Sequence, residues 1–393
     1  MKIVHISRSD SGGAGLCAYR ICKSQRELGL DANLFVLFKT KPDAFVHRVS
    51  PVYYYFYKIF YKLLEIANIP CRHTEVIKLK KKYNAVFSLP FAPFRLNNYS
   101  LIKDADIIHL HWVDGLLDYP SFFEKYKGKK IVWTLHDDGF FYGIAHYSYD
   151  VLKENSLEKE CLDIKYHSIE KIQSFGVVFL SNFKYNKFIY SRLISNAKKT
   201  IINNSVDSKL FHPYQKLESR RRLKLNETYK IFGFCANNIY DKWKGLEVLS
   251  KALTSIDPSY VILAIGDANN SNGAYYNNVV PLGRLSSAND ISYALSACDY
   301  FCMPSYEEAF AQSPLEAMSC GLPLIVFPCS GTEELINPQV GIRCKDFTLE
   351  ALVDGIKLAL SSNFSSEVIR QDVINRFSPS KIAEQYLRFY KEL

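Results

Sequence analysis

The sequence predicts an α/β protein with two doubly wound, Rossmann-like domains, each a parallel sheet covered by helices on both faces. Its 393 residues exceed the length of one ordinary domain, which is about 100 to 200 residues. Short β-branched runs alternate along the chain with longer amphipathic runs, and this is the order of β-α-β units. The short runs are mostly apolar throughout, as strands buried on both faces of a sheet are.

The strands predicted in the first half are rich in Ile, Val and Leu, and helical patterns separate several of them. These strands are residues 2–6, 32–37, 107–110, 131–135, 177–180 and 200–202, with helices at 16–28 and 157–172. The second half repeats the alternation. Its predicted strands are residues 229–234, 260–265, 300–303 and 324–327, and its helices are 246–253, 288–297, 314–319 and 349–360.

The boundary between the halves is predicted near Phe211-His212-Pro213, because this stretch and the charged run 218–224 have few strand or core signals. We therefore expect an interdomain connection there. In doubly wound sheets the ligand lies beyond the carboxyl ends of the strands, so two facing domains would hold it in the cleft between them.

The composition excludes several classes of protein. With 48% hydrophobic and 23% charged residues, the chain is neither disordered nor collagen-like. Its ten cysteines form no C-x-x-C pair, so buried reduced thiols are expected rather than disulfides or a metal site. The first residues lack an apolar segment of signal-peptide length, and no long uncharged apolar stretch occurs. A cytoplasmic protein is therefore expected.

Charge is distributed unevenly along the chain. Residues 1–205 carry 30 Lys and Arg against 19 Asp and Glu, a net charge of +11, whereas residues 206–393 carry −2. A basic half indicates an anionic partner, either a membrane surface or a phosphate-bearing substrate. Nucleic acid is not expected, because the chain has no zinc-finger, RNA-recognition or basic-zipper signature.

A glycine-rich loop, Ser11-Gly12-Gly13-Ala14-Gly15, follows the first predicted strand and leads into a helix. The free amides at that helix start would face an anion such as a phosphate. The loop matches neither G-x-G-x-x-G nor the P-loop pattern, which argues against nicotinamide and P-loop sites. A tight turn that simply requires glycine is the alternative.

A second candidate site lies between Pro304 and Gly321, where a loop carries Glu308 and the following helix carries Glu316. A carboxylate near a helix start can accept hydrogen bonds from both ribose hydroxyls, and free amides at residues 310–313 can bind phosphate. This segment predicts a site for a nucleoside diphosphate.

The spacing of Glu308 and Glu316, with P-S-x-x-E before and E-A-M-x-C-G after, resembles the E-x7-E signature of retaining glycosyltransferases of the GT-B fold, in the family 4 group. Further motifs follow in the family's order along nearly the whole chain. They are Asn204-Ser205-Val206-Asp207, Lys244-Gly245, Leu282-Gly283-Arg284-Leu285, Ser330-Gly331-Thr332-Glu333-Glu334 and the terminal segment 377–390. The glycine loop, Ile108-His109-Leu110-His111-Trp112 and Trp133-Thr134-Leu135-His136-Asp137 are similar to the branch that builds colanic-acid-type exopolysaccharides.

The resemblance implies an acceptor-side domain at residues 1–205, a nucleotide-sugar-binding domain at 206–375 and a C-terminal helix at 376–393 that packs back on the first domain. It implies the following site residues: Glu308, Lys244 and His136 as catalytic, and Gly12, Gly13, Gly15, Lys242, Lys244, Arg284, Phe310, Ala311, Gln312 and Glu316 as donor-binding. No metal ion or other cofactor is expected, because Lys244 and the helix amides would balance the charge of the leaving group.

Each of these residues also has a structural alternative. Lys244 is otherwise an exposed lysine of a first helical turn, Glu316 part of a solvated helix face, and Glu308 a loop carboxylate in a salt bridge. His136 would contact the sugar or carry a proton, or else order its own loop. His111 and Asp137 are weaker candidates that would cap turns, and Glu334 is expected to hold backbone amides.

Two departures from the family pattern limit what can be transferred. Residues 235–238 replace an arginine that often precedes the K-G lysine, so Lys242 is the nearby second cation and a second phosphate clamp is in doubt. Residues 138–146 replace the family's usual segment after T-L-H-D, so the acceptor specificity is not carried over.

An aromatic and basic segment at residues 53–64, followed by Lys78, Lys80, Lys81 and Lys82, suits a bilayer interface, where tyrosine lies at headgroup depth and lysine meets anionic lipid. An aromatic core helix is the alternative. The family resemblance implies a retaining glycosyltransferase that uses a UDP-sugar or GDP-sugar and a glycan acceptor, such as an undecaprenyl-diphosphate-linked one. A nucleotide-sugar epimerase and a non-catalytic binding protein are the rivals.

Overall fold

Two parallel β-sheets, one in each of two compact units, organise the chain in this computed structural model. The structure describes residues 1–50, 52–67, 69–83, 85–94, 96–268 and 276–393. The first unit comprises residues 1–180, 184–202 and 383–393, and the second comprises residues 181–183 and 203–382.

The strands up to residue 202 form one sheet with the order β3-β2-β1-β4-β5-β6-β7, in which all pairs are parallel. The strands are β1 (Lys2–Ser9), β2 (Asp31–Phe38), β3 (Val46–Arg48), β4 (Ile107–Leu110), β5 (Lys130–Thr134), β6 (Ser174–Phe179) and β7 (Lys198–Ile201). The helices are α1 (Gly12–Glu27), α2 (Val52–Ile66), α3 (Arg72–Tyr83), α4 (Ser100–Lys103), α5 (Tyr119–Tyr126), α6 (Ser156–Ile169) and α7 (Asn182–Phe188).

The strands after residue 202 form a second parallel sheet with the order β10-β9-β8-β11-β12-β13. They are β8 (Ile231–Asn238), β9 (Val261–Asp267), β10 (Val279–Gly283), β11 (Tyr300–Met303), β12 (Leu324–Val326) and β13 (Gly341–Arg343). The helices are α8 (Lys216–Arg222), α9 (Leu246–Ile256), α10 (Ala288–Ser296), α11 (Gln312–Ser319), α12 (Ser330–Glu333), α13 (Leu349–Ser361), α14 (Ser366–Phe377) and α15 (Pro379–Glu392).

The central strands of both sheets are buried on both faces, which confirms the predicted fold class. All four residues of β4 and all four of β11 are buried, as are the middle five of β1. Helices cover both faces, so continuous apolarity along a strand is stabilising. The ten cysteines are free thiols and eight of them are buried. Within the described ranges, every helix is too short or too polar to cross a bilayer.

Three details of the chain differ from the sequence-based expectations. The edge strands β3 and β13 have three residues each, too few to give a strand signal of their own. The stretch around Phe211 was expected to connect the domains, and this is wrong, because residues 203–382 all belong to the second unit. Phe211 is buried there, and the charged run after it forms α8, whose Arg220 binds Asp299 at 2.9 Å.

The C-terminal helix α15 contributes its second half, from residue 383, to the first unit. Tyr386 and Tyr390 are fully buried, and Phe389 lies against Gly176 of β6 so closely that a Cβ at Gly176 would be 2.8 Å from the ring. A glycine at this position of β6 therefore allows the helix to approach the sheet.

The two sheets share one topological property that positions the candidate sites. In each, the chain leaves a central strand in one direction and later returns on its other side, between β1 and β4 in the first unit and between β8 and β11 in the second. Loops that leave the carboxyl ends of such neighbouring strands diverge and open a crevice where ligands bind. The glycine loop follows β1, and the Lys244 and Glu308 loops follow β8 and β11.

Candidate active site

The glycine loop after β1 combines two glycines that the backbone requires with one that it does not. Gly12 has a φ of +72°, and a Cβ at Gly15 would lie 2.4 Å from the carbonyl oxygen of Ser9. Gly13 has a negative φ, and no described atom lies within 4 Å of a Cβ placed there. The tight-turn alternative therefore accounts for Gly12 and Gly15, and Gly13 is the position that leaves space above the start of α1.

The turn after β8 packs tightly against the loop after β11. Residues Lys242–Lys244 form a 3₁₀ turn that Asp241 caps by accepting a hydrogen bond from the amide of Trp243. Gly245 follows with a φ of +79°, and a Cβ there would lie 2.2 Å from the carbonyl oxygen of Pro304. A larger residue at Gly245 would separate the two loops, so the K-G motif is also a packing requirement.

This packing brings Lys244 and Glu308 together across 64 residues of sequence. The Nζ atom of Lys244 donates to Oε1 of Glu308 at 2.5 Å, and both side chains are largely buried. The salt-bridge alternative for Glu308 is thus present in the structure, but its partner is the other predicted catalytic residue. The exposed-lysine alternative for Lys244 is wrong, because its side chain is only 25% exposed.

Glu316 on α11 lies close to the same pair. It is 7% exposed, so the solvated-helix alternative is wrong. The thiol of Cys235, on β8, has its pKa raised to about 12, first by burial and also by the charges of Glu316 and Glu308, while the charge of Lys244 opposes this rise. Lys244, Glu308 and Glu316 therefore all lie near this partly exposed thiol.

The loop before α11 is fixed by two other motif residues. The amide nitrogen of Asn204 donates to the carbonyl oxygen of Phe310 at 2.8 Å, and Phe310 itself is buried. A Cβ at Gly331 would lie 2.1 Å from the carbonyl oxygen of Ala309. The α11 start, with Ala311 as its N-cap and Gln312 as its first residue, is held in place from both sides.

Two predicted donor residues have exposed side chains. Arg284 follows β10, the edge strand two positions from β8, and is exposed without a hydrogen bond to any described residue. Lys242 is also exposed, with its ammonium 5.3 Å from the ring centre of Trp243. The carboxylate of Glu334 accepts a hydrogen bond from the backbone amide of Phe183 at 3.1 Å, which is the contact with backbone amides expected for this residue.

In the first unit, Asp137 orders the loop that follows β5. Its carboxylate accepts hydrogen bonds from Trp112 Nε1 at 3.0 Å, the amide of Gly139 at 2.9 Å and His146 Nδ1 at 2.7 Å. Burial opposes the charged form of His146, but the Asp137 carboxylate raises its pKa above the usual value. The loop-ordering role that was the alternative for His136 therefore belongs to Asp137.

Two buried charged residues on one face of α6 anchor the rest of this loop. Lys165 donates to the carbonyl oxygens of Gly139 and Tyr142, both at 2.6 Å, and burial lowers its pKa to about 8. Glu158, two turns earlier, accepts from the amides of Gly143 and Ile144 at 2.5 and 3.0 Å. The segment that departs from the family pattern is thus rigidly held.

His136 itself is directed elsewhere. Its Nε2 atom lies 3.0 Å from Nδ1 of His111, and this is its one hydrogen bond within the described residues. Burial lowers its pKa to about 4, so the ring is neutral at physiological pH. A small cavity of about 30 Å³, room for about one water molecule, is lined by His136 together with His111, Asp137, His146 and Lys165.

Among the described residues, three buried histidines are of a type and spacing that could bind a metal ion. His5, His109 and His111 have ring nitrogens within 4.8 Å of one another, which makes them a group of suitable type. All six nitrogens already take part in hydrogen bonds, so a metal would have to replace these. A pair of carboxylates in a D-x-D sequence, Asp104-Ala105-Asp106, is a second group of a type that can bind a metal ion. It precedes β4, at the amino edge of the sheet, and Asp106 accepts a hydrogen bond from the amide of Lys2 at 2.8 Å.

Several side chains of these sites were not predicted, chiefly Cys235, Glu158, Lys165 and Gln25. Nothing in their local sequence distinguishes them from core or surface residues. A signal did exist for the histidines, because alternation in Ile108-His109-Leu110-His111 places both imidazoles on one face of β4.

Comparison with known proteins gives concordant results. Residues 215–376 match the family model described as glycosyl transferases group 1. The chain is 27% identical over 314 residues to the O-antigen biosynthesis glycosyltransferase WclY of Escherichia coli, covering 74% of this chain and 80% of the relative. It is 34% identical over 112 residues to N,N'-diacetylbacillosaminyl-diphospho-undecaprenol alpha-1,3-N-acetylgalactosaminyltransferase of Campylobacter jejuni, covering 27% and 29% of the two chains.

Among solved structures, the fold is similar to that of Anabaena HepE in complex with UDP and glucose. The TM-score is 0.66 with 20% sequence identity, and the match covers 100% of both chains. At this identity the likeness concerns the fold.

Proposed function

We propose that this chain, a glycosyltransferase of GT-B fold whose residues 215–376 match the group 1 glycosyl transferase model, transfers a sugar from a nucleotide-diphosphate donor to a lipid-linked glycan, with retention of the anomeric configuration. We further propose that the reaction belongs to the synthesis of a surface polysaccharide. The observation that carries the proposal is the cluster of Lys244, Glu308 and Glu316 around Cys235.

We assign one part of the cluster to the nucleotide and another part to the bond between the sugar and the diphosphate. Buried carboxylates bind hydroxyl pairs well, because each hydrogen bond to a charged acceptor is worth roughly 1.5 to 3 kcal/mol. Glu316, on the second turn of α11, is the residue that we assign to the ribose. The amides of Ala311 and Gln312 at the start of the same helix are assigned to the diphosphate.

Lys244 is assigned to the leaving group. In the structure its ammonium binds Glu308, and an incoming diphosphate would offer it a second anionic partner. The bond between the anomeric carbon and the diphosphate oxygen breaks with its electron pair on the diphosphate, so negative charge grows on that oxygen in the transition state. A lysine that approaches this oxygen lowers the barrier, and Glu308 is then available to stabilise the positive charge on the sugar.

The acceptor hydroxyl completes the exchange by forming a new bond to the anomeric carbon from the face that the diphosphate leaves. Its proton passes to an oxygen of the departing diphosphate, and His136 accepts a hydrogen bond from a sugar hydroxyl. We propose that no metal ion is required, since Lys244 and the helix amides supply the positive charge. The donor base, UDP or GDP type, is part of the test below.

The acceptor assignment rests on relatives and on α2. The Campylobacter relative is named for an undecaprenol-linked substrate, and we propose an acceptor of the same class for this chain. Helix α2 exposes an apolar face, which we call the aromatic face: Tyr55, Phe56, Ile59, Phe60, Leu63 and Ile66, each 55 to 69% exposed. Single exposed apolar residues are ordinary, whereas a contiguous row on one helix indicates a partner surface.

Contact with an anionic membrane explains the aromatic face better than burial in the protein core does. The core-helix alternative for this segment is wrong for the residues named above, although Tyr54 does pack against Phe38 and Phe94. Lys58 and Lys62 lie on the same helix, and α3 ends in Lys80, Lys81 and Lys82. We expect the protein to act at the cytoplasmic face of a membrane, where its lipid-linked acceptor would be anchored.

The proposal is tested by incubating the protein with UDP-sugars and GDP-sugars in the presence and absence of an undecaprenyl-diphosphate-linked glycan. Nucleotide release is measured, and the product's anomeric configuration is determined by NMR. We expect nucleotide release that depends on the acceptor and occurs with one class of donor. The product should have the same anomeric configuration, α or β, as the donor. An inverted product would refute retention, and a changed sugar without transfer would identify an epimerase.

A further inference from the structure

A continuous network of hydrogen-bonded side chains crosses the interior of the first unit. Side chains at alternate positions of neighbouring parallel strands share a face, and here His5 of β1, His109 of β4 and Thr134 of β5 do so, with His111 and His136 just past the strand ends. Helices α1 and α15 cover this face with Gln25, Tyr386 and Tyr390.

One arm of this hydrogen-bond network leads from Gln25 to the candidate active site. Oε1 of Gln25 lies 2.8 Å from His5 Nε2, His5 Nδ1 lies 3.0 Å from His111 Nε2, and His111 Nδ1 lies 3.0 Å from His136 Nε2. The rings of His5 and His111 are buried and that of His136 is partly buried, and desolvation lowers the pKa of all three well below the usual range, so each carries a single ring proton. A neutral imidazole donates from one nitrogen and accepts at the other.

The second arm fixes the orientation of the Gln25 amide. Its Nε2 donates to the hydroxyl of Tyr390 at 3.0 Å, and that hydroxyl lies 2.6 Å from His109 Nδ1. His109 Nε2 is 2.8 Å from Thr134 Oγ1, which meets Tyr386 at 3.0 Å. Since the amide nitrogen serves Tyr390, the amide oxygen is the atom that faces His5, and an oxygen can only accept.

The direction of every bond in the first arm follows from that oxygen. His5 must donate from Nε2 and accept at Nδ1, so His111 must donate from Nε2 and accept at Nδ1. His136 must then carry its proton on Nε2 as well. Its Nδ1 is left with a free lone pair, which makes it a hydrogen-bond acceptor for a hydroxyl group.

We infer that Gln25, acting through His5 and His111, is a positioning residue that fixes the tautomer of His136 and so keeps Nδ1 as the acceptor for a substrate hydroxyl. The last step, contact with the substrate, rests on the proposed function, whereas the tautomer does not. If the Gln25 amide were reversed, every hydrogen bond in this arm would reverse and Nδ1 of His136 would become a donor. Its proton would then repel the hydroxyl proton from which Nδ1 is assigned to accept a hydrogen bond.

The first experiment uses the wild-type chain labelled with ¹⁵N-histidine. Two-bond nitrogen–proton correlation spectra distinguish the two neutral tautomers, and the spectrum of His136→Asn assigns the His136 signals by difference. We expect one species at pH 7.5, with the proton on Nε2. A proton on Nδ1, a mixture of both tautomers, or a signal pattern of metal-bound imidazole would overturn the inference.

The second experiment changes Gln25. In Gln25→Leu the acceptor for His5 is lost, so His136 should populate both tautomers and kcat should fall about twofold to tenfold, with the donor KM unchanged. If Gln25→Leu does not fold, the wild-type spectrum still decides.

Tyr386→Phe is the matched control, because it removes a buried hydroxyl of the other arm and leaves the bonds between Gln25 and His136 in place. It should lower thermal stability like Gln25→Leu but retain the tautomer and kcat. A loss of kcat in both variants with an unchanged His136 tautomer would reduce Gln25 to a structural role. An inactive wild type with the Nε2 tautomer would instead count against the proposed function alone.

Discussion

Lys244 and Glu308 form the ion pair on which the proposed chemistry depends. In the absence of a donor each satisfies the other, so the pair keeps two charges compensated at a partly buried site. In the proposed mechanism, a bound diphosphate gives Lys244 a second partner, whose negative charge increases along the reaction. Its contribution is therefore largest in the transition state.

Replacing Lys244 with Ala should lower kcat by about 10²- to 10³-fold while changing the donor KM much less, because electrostatic stabilisation of a developing charge is lost. Steady-state kinetics of nucleotide release measure both parameters. Lys251→Ala, which removes an exposed lysine of α9, is the control and should leave them unchanged. Equal kcat values in Lys244→Ala and the wild type would contradict the assignment.

At the scale of single residues, the sequence predicted the members of the proposed donor cluster but not their environment. Glu308, Glu316 and Lys244 stand in motifs with fixed spacing, so a resemblance could point to them. Cys235 and Gln25 have no such context, because their roles depend on which strands and helices become neighbours in the fold. Long-range pairing of this kind is not encoded in a local pattern.

At the scale of elements, the turn from β1 into α1 has a built-in internal control. A Cβ at Gly15 would overlap the carbonyl oxygen of Ser9, which belongs to backbone that cannot move aside, whereas a Cβ at Gly13 meets no described atom within 4 Å. Gly15→Ala should destabilise the first unit by about 1 to 3 kcal/mol. Gly13→Ala should be neutral or stabilise it slightly, by up to about 1 kcal/mol.

The comparison is made by urea unfolding in a Trp243→Phe background. Trp112 and Trp133 then remain as the fluorescent reporters, and both lie in the first unit. Equal midpoints for the two alanine variants would show that the turn tolerates the extra atom.

Helix α2 should bind anionic vesicles through its aromatic face. Burying a phenylalanine side chain contributes roughly 1.5 to 3 kcal/mol, so Phe56→Ser and Phe60→Ser should each weaken binding by at least about tenfold. Co-sedimentation with phosphatidylglycerol and with phosphatidylcholine vesicles separates the lipid classes. The control is Tyr190→Ser, which removes an aromatic side chain of the first unit that is 95% exposed. Equal losses in all three variants would contradict a specific docking surface.

Elements with strong periodic signals were predicted well, and short or atypical ones were not. The central strands β1, β4, β5 and β11 are apolar runs of sufficient length. The edge strands β3 and β13 depend on a neighbour for their hydrogen bonds rather than on their own composition. Helix α8 was missed because its buried residues, Ser219 and Arg220, are both polar, and an arginine that pairs with Asp299 in the fold cannot be told from a surface charge in the sequence.

At the scale of the whole molecule, the buried histidines make stability depend on pH. Burial lowers the pKa of His5 and His136 to about 4 and also lowers those of His109 and His111, whereas a histidine in the unfolded chain titrates near 6.5. Between these values the unfolded chain binds protons that the folded chain does not. Their contribution to stability is complete above about pH 6.5 and is lost as the pH falls toward 4.

His146 acts in the opposite direction. Its pKa is raised in the folded chain, so its pairing with Asp137 stabilises the fold most below about pH 6.5 and loses that effect as the pH rises through the raised pKa. It offsets part of the effect of the four neutral histidines without cancelling it.

We therefore expect the unfolding free energy of the first unit to fall as the pH is lowered from 6.5 to 5, with each neutral histidine contributing up to about 1.4 kcal/mol per pH unit. The slope should decrease in His109→Gln and stay the same in His167→Gln, which changes an exposed residue. Urea unfolding at several pH values measures it. A flat profile over this range would mean that these imidazoles are protonated in the folded chain.

The most direct test of the central claim is nucleotide binding to wild-type and Glu316→Gln protein, measured calorimetrically with UDP, GDP, ADP and CMP. Gln keeps the volume of the buried side chain and removes its charge, and Glu367→Gln on the exposed side of α14 is the control. The account predicts that one nucleoside diphosphate binds to the wild type and the control, and that Glu316→Gln binds it at least about tenfold more weakly. Equal affinities in wild type and Glu316→Gln, or no binding of any nucleotide to the wild type, would contradict it.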